Sequence, residues 1–327
     1  MSVLVTGAMG HVGYMTALAC AEVGLDVVAH YHASYHPALA AAAGPRITWV
    51  KGDITDFPHL LEIAEQHGVE GAIHSAALPN NDVCRPVPAH AVSVNVLSVQ
   101  HLLELARLRK WRRVVYVSTG AVYQASDPKG FIHETDAATP GNVYGTTKHM
   151  GELLVNMYQK AYGVSACTVR VSWVWGPPLV TKGLDGPRGP IPYFLIPAVR
   201  GERVHEPSGG EFIANFTYVK DVAHALTLAY RKDTLPSSLY NLSNGRHYST
   251  AEIVETIRQV LPEADVSVGP GMKPWIDYTV LRGSFDITRV RTEVGFEVQY
   301  PLPRAIADYA AWLQDHLASP AGRTESA

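Results

Sequence analysis

The sequence predicts an α/β fold, a doubly wound parallel sheet joined to a smaller, discontinuous C-terminal lobe. Three observations carry this reading. Short apolar runs alternate with helical patterns over roughly the first 120 residues, the pattern of parallel strands linked by right-handed crossovers. A glycine-rich turn, Thr6-Gly7-Ala8-Met9-Gly10-His11-Val12-Gly13, stands directly between the first strand and the first helix. After Gly176-Pro177 the alternation gives way to chain rich in proline and glycine.

Taken in order, the candidate strands lie at 3–5, 27–29, 47–50, 71–75 and 113–118. Each is a short apolar run of the kind buried on both faces of a parallel sheet. Helical patterns at 12–23, 38–43, 58–66, 91–108 and 144–162 separate or follow them. Beyond the Gly-Pro turn come a short helical pattern at 193–199, a strand at 216–219, a helix at 222–230 and a strand at 240–242. Ser249-Thr250-Ala251-Glu252 has the spacing of a capping box and opens a helix over 251–260. A closing helix is expected at 302–317, with a frayed tail over 319–327. The implied division is a core of 1–176, rejoined by about 212–245, and a lobe made of 177–211 and 246–318.

Composition narrows the function classes. Of 327 residues, 17% are charged and the net charge is −3. No bulk attraction to nucleic acid or to an anionic membrane is indicated. No apolar run is long enough for a transmembrane helix. Cys20, Cys84 and Cys167 are too few and too scattered for a disulfide framework. The N-terminus lacks the basic start and long apolar core of a signal peptide. A cytoplasmic protein acting on a small-molecule substrate is the expectation.

The glycine turn supplies the first chemistry. Gly7, Gly10 and Gly13 suit a tight turn, close approach of backbone to a pyrophosphate, and close helix–sheet packing. The helix N-terminus behind them offers N–H groups and partial positive charge to phosphates. The core is thus of Rossmann type, and the cofactor expected is NAD or NADP. An acid ending the second strand usually takes the adenosine ribose diol, yet that strand ends Ala29-His30-Tyr31-His32. His32 is the candidate contact there, and the choice between NAD and NADP stays open. His30 and His32 lack a third ligand pattern, so no metal is expected.

Tyr144 and Lys148 are spaced i, i+4 on one helix face. A nearby ammonium favours phenolate over phenol. Bringing a phenol from pKa about 10 to near neutrality takes roughly 4 kcal/mol of differential stabilisation. The spacing alone is weak in a chain with 16 tyrosines. Its place downstream of a strand ending Val117-Ser118-Thr119 gives it weight, because a hydroxyl there can share a substrate proton.

These landmarks and others resemble, in order, the extended short-chain dehydrogenase/reductases, specifically the NAD-dependent epimerase/dehydratase family. The loop at 6–13 resembles TGxxGxxG, and Gly52-Asp53-Ile54 the segment that holds adenine. His74-Ser75-Ala76-Ala77 resembles the fourth-strand stretch lining the cofactor, and Asn95 the helix Asn of the family. Val117-Ser118-Thr119-Gly120-Ala121-Val122-Tyr123 resembles SSxxVYG, Tyr218-Val219-Lys220-Asp221-Val222 the "yVdDva" segment, and Tyr240-Asn241-Leu242 its "yNv". The resemblance implies Thr119, Tyr144 and Lys148 as catalytic residues. It implies Gly7, Met9, Gly10, His11, Val12, Gly13, His32, Asp53, Ile54, Ser75, Ala76, Ala77, Asn95, Tyr144 and Lys148 as cofactor contacts. It also implies a homodimer built on the helices at 91–108 and 144–162.

Departures from the family bear on substrate. Trp173 stands where the family has the Asn of "RxxN", and Ala214 where it has an Arg; both family residues grip a substrate diphosphate. Arg282 retains a third basic position, while Lys182, Arg188 or Arg203 are candidate substitutes for the lost Arg. Ser118, Thr119, Trp173 and Arg282 are the expected substrate contacts. Three readings follow. The first is an oxidoreductase or epimerase of a carbohydrate-like or hydroxy-carbonyl substrate without a nucleotide handle. The second is a nucleotide-sugar epimerase, with a dehydratase disfavoured because Gly120-Ala121 supplies no acid pair. The third is a non-catalytic cofactor-binding protein.

Overall fold

The computed structural model describes residues 2–178, 189–273, 275 and 280–318. Its centre is a seven-stranded sheet in which every pairing is parallel. The chain runs through β1 (Ser2–Thr6), α1 (His11–Glu22), β2 (Asp26–Tyr31), α2 (Pro37–Ala42), β3 (Ile47–Lys51), α3 (Phe57–Gln66) and β4 (Val69–His74). It continues through α4 (Asn81–Cys84), α5 (Pro88–Val92), α6 (Ser98–Arg109), β5 (Arg113–Thr119), β6 (Phe131–Ile132), α7 (Val143–Tyr162) and β7 (Ala166–Val171). Then follow β8 (Trp173–Trp175), α8 (Pro190–Val199), β9 (Val204–Glu206), β10 (Ile213–Tyr218), α9 (Val219–Arg231) and β11 (Leu239–Leu242). Last come β12 (His247–Ser249), α10 (Thr250–Val260), β13 (Val266–Val268), β14 (Ser284–Phe285) and α11 (Leu302–Ala318).

The sheet order is β11-β7-β5-β4-β1-β2-β3. Alternation along each strand explains its two covered faces. Val3 and Val5 join the cluster under α1 and α9, whereas Leu4 between them joins the cluster under α3, α6 and α7. The same split separates Val27 and Ala29 from Val28. Strand order reverses between β1 and β4, and a ligand crevice opens at such a switch point, beyond the carboxyl ends of the strands.

The predicted 91–108 helix is divided. A π-helical turn, Ser93–Leu97, separates α5 from α6 and carries Asn95 inward to 1% exposure. Such turns insert a residue into a helix and recur at functional sites. β10 joins neither edge of the main sheet; it pairs with β8 in parallel and with β12 antiparallel. With α8, α10 and α11 it encloses a third core around Phe194, Phe212, Phe216, Ile257, Ile306 and Tyr309. The expected cap forms, since Ser249 Oγ accepts from the Glu252 amide at 3.0 Å. The two- and three-residue strands β6, β8, β9 and β12 to β14 escape sequence reading, because so few residues show no period.

α7 carries the candidate residues Tyr144 and Lys148. Asn142 caps it by accepting from the Gly145 amide at 2.8 Å, and Gly163 closes it at φ +67°. Midway, a Cβ at Gly151 would lie 2.4 Å from the Tyr116 hydroxyl oxygen. Only glycine lets the helix approach β5 this closely. Gly151→Ala is expected to destabilise the protein by about 1–3 kcal/mol in urea unfolding, the usual cost of overpacking. Combining it with Tyr116→Phe, which removes the opposing oxygen, should recover part of that loss.

Candidate active site

The β1–α1 turn forms a cradle that side chains would fill. Gly7 sits at φ +65°, and a Cβ there would lie 2.9 Å from the Ala76 nitrogen. A Cβ at Gly13 would lie 2.1 Å from the Gly7 carbonyl oxygen. Gly10, the N-cap of α1, supplies no side-chain cap. The first-turn amides of α1 therefore carry no side-chain cap, the condition under which a helix N-terminus can take a phosphate. A dinucleotide pyrophosphate fits this cradle. Met9 and Val12 pack inward as buried and half-buried apolar residues. His11 adds no cation, because burial lowers its pKa to about 4 and its Nε2–H donates to the Gly176 carbonyl at 2.7 Å.

The end of β4 locks onto this turn. Ser75 Oγ donates to the Thr6 carbonyl at 2.7 Å, and the Ala76 amide donates to Thr6 Oγ1 at 3.2 Å. His74 bridges Thr6 Oγ1 at 2.7 Å and Ser98 Oγ at 3.0 Å, while Ser98 donates to the Val94 carbonyl at 2.5 Å. These partners assign the proton to Nε2. Burial, reinforced by the charge of Lys148, holds the His74 pKa well below its ordinary value, so the ring is neutral. Ser75, Ala76 and Ala77 remain half-buried at the lip.

Asn95 proves to be a brace. Its Oδ1 accepts from the Leu78 amide at 2.8 Å and its Nδ2 donates to Thr147 Oγ1 at 3.0 Å. It thereby fastens the loop after β4 to α7. At the other end of the crevice, Asp53 is exposed and accepts from the Thr55 amide and hydroxyl at 2.8 and 2.7 Å. Those bonds hold its carboxyl below the usual range. Ile54 beside it is buried and His32 is exposed.

Thr119 ends β5, half-buried, with Oγ1 accepting from the Ala121 amide at 3.1 Å. Tyr144 lies in the first turn of α7, also half-buried, and Lys148 follows one turn later at 2% exposure. Burial lowers the Lys148 pKa to about 7, opposed by the charge of Glu152. The Lys148 ammonium stands 4.3 Å from the Tyr116 ring centroid, and that ring stacks on His74 at 5.8 Å. Tyr116, which sequence reading missed, thus provides the floor under the lysine.

Ser118, expected at the substrate, is 1% exposed and donates to Glu152 Oε1 at 2.5 Å. Strand alternation turns it away from the side occupied by Thr119. Its role here is internal. Arg170 meets the same carboxylate with two bonds of 2.9 and 2.6 Å, and His149 adds a third partner at 2.9 Å. Arg170 also donates to the Tyr123 hydroxyl at 2.6 Å, which donates to Asn241 Oδ1 at 2.9 Å. Glu152 went unnoticed in the sequence, although an acid four residues after Lys148 on an apolar helix face was the available signal.

Trp173 is half-buried within the lobe's aromatic cluster, 5.4 Å from Phe216 and 6.4 Å from Phe212 between ring centroids. Arg282 reaches across to donate to the Gly120 carbonyl, and burial lowers its guanidinium pKa to about 10. No ion pair among the described residues involves Arg282. Of the candidate substitutes for the lost diphosphate-binding arginine, Arg203 pairs with Asp265, while Lys182 and Arg188 lie outside the described residues. Among the described residues no cluster of three His, Cys, Asp or Glu side chains offers a metal site. None of their helices is long and apolar enough to cross a membrane.

The Glu152 network generates a stability prediction. Burial alone would raise the Glu152 pKa; the Arg170, Ser118 and His149 contacts outweigh it and leave the group lowered. A depressed carboxyl stabilises the fold above its unfolded pKa and loses that contribution as pH falls through the folded value. Glu152→Ala should cost about 3–5 kcal/mol near neutrality, as for a buried pair stripped of one partner. Urea unfolding should show this deficit shrinking below about pH 4, the range of an unfolded glutamate.

Comparison with known proteins establishes the family and the fold. The model of the NAD dependent epimerase/dehydratase family matches residues 3–243. A UDP-glucose 4-epimerase of Halalkalibacterium halodurans is 29% identical, covering 97% of this chain and 96% of that protein. The Thermotoga maritima UDP-glucose 4-epimerase structure with UDP-glucose superposes with a TM-score of 0.83 at 24% identity, covering 97% of this chain and all (100%) of that one. The Brucella ovis UDP-glucose 4-epimerase in complex with NAD gives 0.79 at 27% identity, over 96% and 98% of the two chains. Since the match runs from the first strand of the sheet through β11 and takes in both the phosphate cradle and α7, the chain belongs to the NAD dependent epimerase/dehydratase family.

Proposed function

We propose that this protein catalyses NAD(P)-dependent oxidation, reduction or epimerisation at a secondary alcohol of a carbohydrate-like or small hydroxy-carbonyl substrate. The dinucleotide, when bound, supplies the hydride acceptor. The amides at 11–13, the lip at 75–77, Asp53 and Ile54 would hold it, with Lys148 available to its nicotinamide ribose. Tyr144 takes the proton of the substrate hydroxyl as hydride leaves the carbinol carbon, so that a carbonyl forms. Thr119 donates to the same substrate oxygen. Lys148 lowers the pKa of Tyr144 through its positive charge. In this reading residues 1–176, rejoined not by the whole of 212–245 but by α9 and β11, form the dinucleotide half, since β10 packs with the substrate lobe of 177–211 and 246–318.

One observation carries the substrate assignment. An indole stands at 173, set among Phe212 and Phe216, where a diphosphate grip would need a polar side chain. The primary reading is therefore a substrate without a nucleotide handle. Arg282 favours the second reading, a nucleotide sugar, because a half-buried guanidinium beside Gly120 attracts an anion. A sugar carboxylate satisfies that charge as well as a diphosphate does. Leu97, Leu108, Met150, Leu153, Met157 and Tyr162 leave apolar surface exposed on α6, α7 and the π turn. A second copy of the chain covers it in a homodimer.

Tyr144→Phe should lower turnover by at least about 100-fold, the scale of general acid–base catalysis, while dinucleotide affinity stays near wild type. Unimpaired turnover refutes the mechanism. Sugar acids, polyols and free sugars should support formation of reduced nicotinamide or inversion of a carbinol centre. Activity confined to UDP- or dTDP-sugars would move the assignment to the second reading. Sedimentation at micromolar concentration should give a dimer, and a monomer there contradicts the proposed pairing.

A further inference from the structure

The adenosine end of the crevice departs from the usual design at one strand terminus. An acid ending β2 ordinarily takes both ribose hydroxyls and repels a 2′-phosphate. Here no Asp or Glu occurs between Asp26 and Asp53. The β2 terminus is nevertheless built into the cradle. The Ala8 amide donates to the His30 carbonyl at 2.9 Å, and the Gly52 amide donates to the Tyr31 carbonyl at 2.9 Å. Tyr31 therefore stands between the phosphate loop and the Asp53 turn, at the position of the missing acid.

The side chains on and beside the β2 terminus are neutral or cationic, and the nearby carboxylates are those of Asp53 and, around His59, Asp56 and Glu62. The Tyr31 ring packs on Tyr35 at 4.9 Å, and Tyr35 meets the edge of Trp49 at 6.5 Å. Lys51 is the register partner of Tyr31 across β2 and β3, so their side chains share a sheet face, and Lys51 is exposed. His32 follows, also exposed. His30 is 1% exposed on the opposite face and neutral, because burial lowers its pKa to about 4. His59 Nε2 donates to the Lys51 carbonyl at 3.1 Å. Asp26 is at the far end of β2, paired with Arg46 at 3.0 Å. Asp53 is engaged by Thr55, Asp56 Oδ1 accepts from the His59 amide at 3.1 Å, and Glu62 lies 3.9 Å from His59 Nδ1.

We infer that this terminus admits a ribose 2′-phosphate, with Tyr31 removing the repulsion and Lys51 and His32 facing the added charge, so that the protein binds NADP(H) at least as well as NAD(H). The inference rests on the dinucleotide reading above and specifies its adenosine end. Titration of the full-length protein with NADPH and with NADH, followed by nicotinamide fluorescence, tests it without turnover. The expected dissociation constant for NADPH is equal to or below that for NADH, with NADPH weakened more steeply by added NaCl. NADH binding more tightly by over about threefold overturns the inference while leaving the dinucleotide reading intact. Binding of neither overturns both. Tyr31→Asp should weaken NADPH by about tenfold or more and NADH by much less. Parallel loss of both in a folded variant shows that this position does not face the ribose, which also overturns the inference.

Discussion

The geometry of the candidate active site depends on one buried carboxylate. Glu152 lies on α7 one turn beyond Lys148 and accepts from Ser118 on β5, Arg170 on β7 and His149 on its own helix. Arg170 extends the chain of bonds through Tyr123 to Asn241 on β11. Taking two charges out of water is costly, and a pair survives only when further hydrogen bonds satisfy the remaining lone pairs and protons. This network meets that condition and so fixes both the height and the rotation of α7 against three strands. Tyr144 and Lys148 inherit their positions from it.

Close backbone approach is the second requirement. Gly151 lets α7 settle on Tyr116, and Gly145 meets the Ala121 carbonyl, where a Cβ would stand at 2.5 Å. Tyr116 then presents its ring to the Lys148 ammonium, a favourable contact in a site that otherwise penalises charge. The same economy of space appears at Gly7 and Gly13, where two turns touch with no room for a side chain. Rigid, close-packed elements of this kind hold reacting groups in place before a ligand arrives.

The less regular half of the molecule carries the proposed substrate side. The lobe core is aromatic, with Trp173, Phe212, Phe216 and Phe194 in contact with helices α8, α10 and α11. Arg282 enters from the segment before β14 and reaches the Gly120 carbonyl at the end of β5. The proposed substrate side is thus assembled from pieces far apart in sequence, beside a core that the family model spans.

The sequence by itself determined the fold class, the phosphate turn and the Tyr144–Lys148 spacing. These are local patterns: apolar alternation, glycine spacing and one helical turn each express their physics within a few residues. It also located Thr119 and the absence of an acid at the end of β2. Tertiary structure decided the rest. It turned Ser118 inward onto Glu152, made Asn95 a brace through a π turn, and tied His11 to Gly176. It also neutralised His74 and placed β10 in a separate sheet. Each of those outcomes depends on which distant residue completes a buried hydrogen bond or a strand pairing, and no local pattern encodes the partner.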